Sequence, residues 1–259
     1  MTAATATLGR DPSWGQRLLA LGTAIALALA AWQLATWISD GWVPPLDEIW
    51  QATIDALGSE ETWSDMALTS KRIAIAFVVS TAVGFAIGFA MGLGRRAEAY
   101  FRPLIVMGLA IPDPVYVIVA ILVLGTDESS GVIALTVALV PFVVTIVHGS
   151  VKARERDLDE MSKVYRLGRR RYLTEVLARQ VTPALLAAAR TSFAFAWKIV
   201  VLVEALSQPD GVGAQIYEAF RLLNAAEMIA VALIFIVIMR LVDHLVFGTL
   251  ERRLLAWAR

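Results

Sequence analysis

The chain has 259 residues, 58% of them hydrophobic and 18% charged, with a formal net charge of zero. A soluble domain carries roughly a quarter charged residues; here the apolar surplus is gathered into runs of about 20 residues, the length that crosses a hydrocarbon core of about 30 Å as a helix. No length is left for a separate soluble catalytic domain, the absence of cysteine excludes disulfides and thiolate metal sites, and two histidines, His148 and His244, leave little for a metal centre.

Residues 1–16 are expected to form a disordered tail, rich in alanine and threonine over 1–8. A first span is predicted over 18–38. Its apolar run is longer than a signal-peptide core and no small-residue cleavage site closes it, so it reads as a retained helix. Residues 39–71 read as a polar loop with two amphipathic pieces, 46–57 and 62–70. Pro44-Pro45 ends the first helix, because proline cannot continue a helix ladder, and Trp37, Trp42, Trp50 and Trp63 suit a membrane–water interface. The second span is predicted over 73–93, ending at Gly94-Arg95-Arg96. The third covers 104–124, interrupted early by Pro112-Asp113-Pro114, and the fourth covers 131–149. A polar stretch, 150–182, leads to a fifth span over 184–206, and the sixth covers 228–248. The fold class is all-α, a polytopic membrane protein of six transmembrane helices in a single domain, 1–259.

Lysine and arginine bias sets the orientation. With the N-terminus inside, the two tails, the turn after span two and the 150–182 loop hold 17 of the 23 basic residues. The outer loops hold Lys71, Arg72 and Arg221, together with acids such as Asp47, Glu48, Glu60, Glu61, Asp127 and Glu128. Both termini are expected in the cytoplasm.

The 150–182 loop carries the clearest functional pattern. Leu158, Met161, Tyr165 and Leu167 mark an apolar stripe on a charged helix, Gly168 breaks or turns it, and Tyr172, Leu173, Val176 and Leu177 begin a second short helix. A helix pair of this kind, lying on the cytoplasmic face between spans four and five, is suited to a groove on another protein. Taken alone, Arg169-Arg170-Arg171 expresses only the positive-inside bias. Gly84, Gly88 and Gly92 form a small-residue stripe that permits close helix approach, within the chain sooner than between copies. Ionisable groups at membrane depth are costly and face a cavity or a partner. Asp113 therefore has either a pathway role or a structural ion pair, unless it sits nearer the interface. Lys198 either offers positive charge to an anionic solute, pairs with Asp113, or reaches a water-filled cavity. Arg190 reads as a snorkelling anchor, and both histidines as interfacial. Asp243 and His244, adjacent on one helix, face different ways and make no metal pair.

Several segments together resemble the permease subunits of binding-protein-dependent ABC importers, the nitrate, sulfonate and taurine branch in particular. Gly168 stands where the family's loop glycine lies, with Ser162-Lys163-Val164 in place of its usual Glu-Ala-Ala, and Pro183 follows at a longer spacing. Gly84-Phe-Ala-Ile-Gly88-Phe-Ala-Met-Gly92 is similar to its second helix, Phe101-Arg-Pro103 with Ile111-Pro-Asp-Pro-Val115 to its proline-rich helix entry, and Trp197 with Val201-Leu-Val-Glu204 and Gly211-Val-Gly213 to its Trp…Glu…Gly-Leu-Gly region. The resemblance implies that Met161, Ser162, Lys163, Val164, Tyr165, Leu167 and Gly168 couple to an ATPase, and that Pro112, Asp113, Pro114, Trp197, Lys198 and Glu204 belong to the translocation pathway or its gate. Glu204 is placed at the outer end of span five as a brace of the outer gate or a substrate contact. The implied partners are two ATPase subunits, a second permease copy, a soluble or lipid-anchored substrate-binding protein and the lipid bilayer of a bacterial inner membrane, with no nucleic acid. No P-loop occurs in the chain, so ATP and magnesium are expected on the ATPase; this chain is expected to be no enzyme, with no catalytic residue, metal ligand or cofactor of its own. The alternative is an ion-coupled secondary transporter using Asp113, Lys198 and Glu204, although no inverted repeat is visible.

Overall fold

The computed structural model describes residues 14–39 and 41–254, and every regular element among them is a helix. In chain order these are α1 (Trp14–Ile38), α2 (Leu46–Gly58), α3 (Glu60–Leu93), α4 (Arg95–Ala110), α5 (Asp113–Leu124), α6 (Glu128–Lys152), α7 (Arg156–Val164) and α8 (Arg169–Arg171). A π-helical turn, Tyr172–Leu177, then joins α9 (Ala178–Ser207), followed by α10 (Val212–Arg221) and α11 (Ala225–Leu254). α1, α3, α6, the run 169–207 containing α9, and α11 are each long and apolar enough to cross a membrane, and α4 with α5 makes a sixth, bent span. The expected tail falls largely outside the described residues, but 14–16 already belong to α1.

The third span is not one rod: α4 and α5 meet at 98°. Ile111 and Pro112 are extended, at φ −77°, ψ 125° and φ −61°, ψ 139°. Two prolines that lack an N–H prevent the hydrogen-bond ladder from passing through. Tyr116 of α5 donates its hydroxyl to Gly108 O at 2.6 Å, occupying one of the carbonyls that the break frees.

The expected loop piece 62–70 is instead the start of span two. α3 runs for 34 residues, about 51 Å at 1.5 Å per residue, against a hydrocarbon core of about 30 Å. Its polar N-terminal turns therefore stand clear of the hydrocarbon. Ser59 caps this helix by accepting from the Thr62 N–H at 3.5 Å, and Glu60 and Glu61 complement the positive end of its dipole.

α3 and α6 form the tightest seam. A Cβ at Gly84 would lie 2.6 Å from Val143 Cβ, at Gly88 2.8 Å from Val144 O, and at Gly92 2.5 Å from Val151 Cβ. The glycine stripe is thus an intrachain contact that lets two backbones approach where lipid offers no hydrophobic driving force. Gly88→Leu is expected to lower the temperature at which the purified protein loses monodispersity, since overpacking costs about 1–3 kcal/mol. Gly149→Leu, whose Cβ meets nothing within 4 Å, should leave that temperature unchanged.

α9 occupies the centre. Phe193, Ala196, Val200 and Val203 are buried against Ile73 and Ala76 of α3, Leu135 and Leu139 of α6 and Val231, Phe235 and Phe247 of α11. Phe77, Phe193 and Phe247 pack against one another, with ring centroids 5.5–6.2 Å apart. α1 is apolar over most of its length and none of its hydrophobic stretch is buried, with only Trp32, Gln33, Ala35 and Thr36 half-covered, the pattern of a helix covered by lipid.

Candidate functional site

Three places bring the predicted residues together with others. The first ties the α9–α10 connection to α3. Gly211 has φ +103°, a conformation that suits glycine, and a Cβ at Gly213 would collide with Val201 O. The three successive N–H groups that open α10 are each taken by a side chain. Gly211 N donates to Asp65 Oδ1, Val212 N to Thr69 Oγ1 and Gly213 N to Glu204 Oε2, all at 2.9 Å. Thr69 in turn donates its hydroxyl to Glu204 at 2.9 Å. Arg72 Nη1 donates to Glu204 Oε1 and to Asp210 O at 2.9 Å, and Nη2 bonds the Asp210 carboxylate. Glu204 is 0% and Arg72 3% exposed.

This arrangement corrects one expectation: Arg72 is no outer-loop residue but a buried member of α3. Of the two roles expected for Glu204, the geometry is that of a brace: it holds a helix N-terminus, where a carboxylate meets both orphan N–H groups and the positive end of the dipole. Sequence reasoning missed Asp65, Thr69 and Arg72. The signal was present: Thr62, Asp65, Thr69 and Arg72 recur at steps of three and four, one face of a helix, and Thr62 Oγ1 accepts from Gln215 of α10 at 3.2 Å.

The second place is the 150–182 loop. Met161 (48% exposed), Val164 (79%) and Tyr165 (73%) form one apolar face, at i, i+3 and i+4, on the outside of α7. Lys163 is exposed beside them and Leu167 is half-buried, whereas Ser162 is buried and donates to Asp159 O at 2.6 Å, so it is turned away from any partner. Asp159 anchors the loop. Its carboxylate accepts from Arg154 Nε at 2.9 Å and Tyr172 OH at 2.7 Å, while Arg154 Nη1 reaches Val151 O and Gly92 O at the ends of α6 and α3. The turn is not made by Gly168, which has φ −61° and open space around its Cβ position. Arg166, at φ +50°, is the left-handed residue. The expected second helix is the α8 and π-turn run that continues into α9, pinned by Leu177 and Val181 against Val147 and Val151.

The third place is a face of α9. Ala187, Thr191, Phe195 and Lys198 are exposed at helical steps of four, four and three. Arg190, on the same side, is no free snorkelling anchor: its Nε and Nη2 pair with both oxygens of Asp243 at 3.1 and 2.8 Å. Lys198 has no such partner. Among the described residues no carboxylate lies within ion-pair reach of it, and its Nζ sits 5.9 and 5.8 Å from the ring centroids of Phe195 and Trp197. Trp197 itself is half-buried against Phe235. The suggested Asp113–Lys198 pair is absent: Asp113 is exposed between Pro112 and Pro114 in the first turn of α5, where its charge complements that helix dipole. No group of three or more potential metal ligands occurs among the described residues.

The pattern of the family described as "Binding-protein-dependent transport system inner membrane component" matches residues 81–254. The chain belongs to this family. It is a multi-pass inner-membrane protein, the permease subunit of an ABC importer. Proteins named as aliphatic sulfonates transport permease SsuC are 27% identical to it, over 77% of this chain and 72% of the relative in Bacillus subtilis, and over 88% of both in Escherichia coli. The taurine transport system permease protein TauC of Escherichia coli is 23% identical over 96% of this chain and 92% of its own length. A chain of the MetNI methionine ABC transporter in an inward-facing conformation superposes with a TM-score of 0.60 at 18% identity, covering 75% of this permease and 94% of that chain. At that identity the likeness concerns the fold.

Proposed function

We propose that this permease pairs with a second copy of itself, docks one ATPase subunit on each copy through Met161, Val164 and Tyr165, and passes a small anionic solute, received from a substrate-binding protein, along the exposed face of α9. The observation that carries the coupling role is the apolar face of α7. Three large side chains are left in solvent on a helix that Asp159 holds rigidly to the ends of α3 and α6 and to the run entering α9. A force on α7 is delivered to the bundle through those bonds. ATP and magnesium belong to the ATPase, and closure of two ATPases around ATP swings α7 as a lever. The bundle then rocks about its tight α3–α6 seam between inward- and outward-open forms. Residues 150–182 and both termini lie in the cytoplasm, on the basic side of the chain. The whole chain acts as one transmembrane domain with no cofactor of its own.

Substitution of Met161 or Tyr165 by cysteine is expected to give a cross-link to the ATPase in the purified, active complex. Tyr165→Ala should weaken ATPase association by roughly thirtyfold, the loss of about 2 kcal/mol typical of an aromatic anchor. Failure of both cysteines to cross-link, with assembly intact in Tyr165→Ala, would remove the docking assignment.

The anionic class rests on Lys198. A lysine at the centre of a lipid-facing helix costs about 2.5–3.5 kcal/mol, so its exposed face of α9 is better placed against a water-filled space between copies. The sulfonate and taurine relatives are named for solutes that carry a sulfonate group, which an ammonium attracts.

A further inference from the structure

At the end of the bundle that carries α7, two cavities run together beside the α3–α6 seam. One, of about 320 Å³, is polar and is lined by Arg95, Glu98, Lys152 and Arg154 with the backbone around Gly92–Gly94. The other, of about 260 Å³, shares Met91, Glu98 and Lys152 with it and continues between α4 and α6 along Ile105, Val106, Leu109 and Val144, with Arg102 and His148 also lining it.

The charges in this cleft do not balance. Glu98 Oε1 receives Lys152 Nζ at 2.6 Å and lies 3.9 Å from Arg102 Nη1 and 3.5 Å from His148 Nε2. Arg154 shares its charge with Asp159 at 2.9 Å, and Arg95 has no acidic partner among the described residues. Four permanent cations thus face two carboxylates. His148 Nε2 is shielded from solvent and makes no hydrogen bond, a buried polar atom that a native site ordinarily satisfies. An occupant needs negative charge and hydrogen-bond acceptors at one end and a hydrocarbon body at the other.

We propose that this cleft binds an anionic phospholipid, with its phosphate among Arg95, Arg102 and Lys152 and an acyl chain along Ile105, Val106 and Leu109. Basic pockets between membrane helices at the interface recognise such head groups. The apolar continuation distinguishes the cleft from a merely basic surface such as Arg169-Arg170-Arg171. Because Arg154 also caps α3 and α6 and holds Asp159, the bound lipid would sit against the anchor of α7, although its binding does not depend on the transport reading.

The test uses the full-length permease with its ATPase, placed in nanodiscs of equimolar phosphatidylglycerol and phosphatidylcholine, then extracted and weighed by native mass spectrometry. The wild type is expected to retain phosphatidylglycerol over phosphatidylcholine by roughly tenfold. Arg95→Gln alone, which breaks no ion pair, should reduce that preference, and Arg95→Gln/Arg102→Gln/Lys152→Gln should abolish it. Arg170→Gln/Arg171→Gln/Arg179→Gln, which removes the same charge elsewhere on the basic face, should keep the wild-type ratio. Equal losses in the two triple variants would reduce the preference to diffuse surface attraction and overturn the site. A wild-type ratio near one, or a ratio unmoved by Arg95→Gln in a monodisperse protein, would overturn it as well.

Discussion

Glu204→Ala is expected to lower the stability of the permease more than any other single change at the polar residues described above, by about 3–5 kcal/mol, the cost of stranding one member of a buried ion pair. The substitution leaves the Arg72 guanidinium, 3% exposed, without its carboxylate. It also removes the acceptor of Gly213 N and of the Thr69 hydroxyl. Glu204→Gln should be milder, because its amide oxygen still accepts one of those bonds while the charge pairing is lost. The double variant Arg72→Met/Glu204→Met separates the two contributions. If the pair itself is what matters, the double variant recovers much of what either single change loses, since apolar replacement of both partners is often close to neutral. The measurement is the temperature at which the purified complex loses monodispersity, taken together with transport. Recovery of stability without recovery of transport would identify the pair as a transport element, whereas recovery of both would make it structural. An unshifted temperature for Glu204→Ala would show that this knot does not hold the α9–α10 connection.

That knot also shows where sequence reasoning stops. The six spans, the proline break, the glycine stripe and the apolar side of α7 are local patterns, set by run length, period and residue type, and each was readable from consecutive residues. Even so, the proline break did not announce its 98° bend. The polar stripe of Thr62, Asp65, Thr69 and Arg72 reads locally as an amphipathic piece of a loop, because its purpose lies more than 130 residues away, at Glu204 and Asp210. Arg190 and Asp243, 53 residues apart, pose the same difficulty. Charge on a span indicates that a partner or water is needed but not which, which is why pairing Lys198 with Asp113 looked reasonable and is not found. At the α7 turn the error came from residue type: glycine is the ordinary occupant of left-handed backbone, yet here Arg166 adopts it and Gly168 does not. Gly168 therefore answers no demand of this chain's own backbone.

Lys198→Met should lower uptake of the proposed anionic solute by roughly one to two orders of magnitude, the loss of one charge-assisted contact in a shielded space. The argument for so large an effect is positional. Lys198 stands on the exposed face of a helix whose other faces are packed, between the rings of Phe195 and Trp197, with no carboxylate to neutralise it among the described residues. Among the described residues its ammonium is the one full positive charge on that face left unpaired, because Arg190 is occupied by Asp243. Lys198→Arg keeps the charge and should retain a substantial part of the uptake; Lys198→Glu should abolish it. The assay is uptake into proteoliposomes holding the permease, its ATPase and the binding protein that co-purifies with them, using labelled alkanesulfonate, taurine and nitrate as probes. ATPase activity without solute is measured in parallel. A pathway role predicts that uptake falls while this basal activity and the thermal stability stay at wild-type values. A structural role lowers all three together. Full uptake in Lys198→Met would place the solute's route elsewhere than the exposed face of α9.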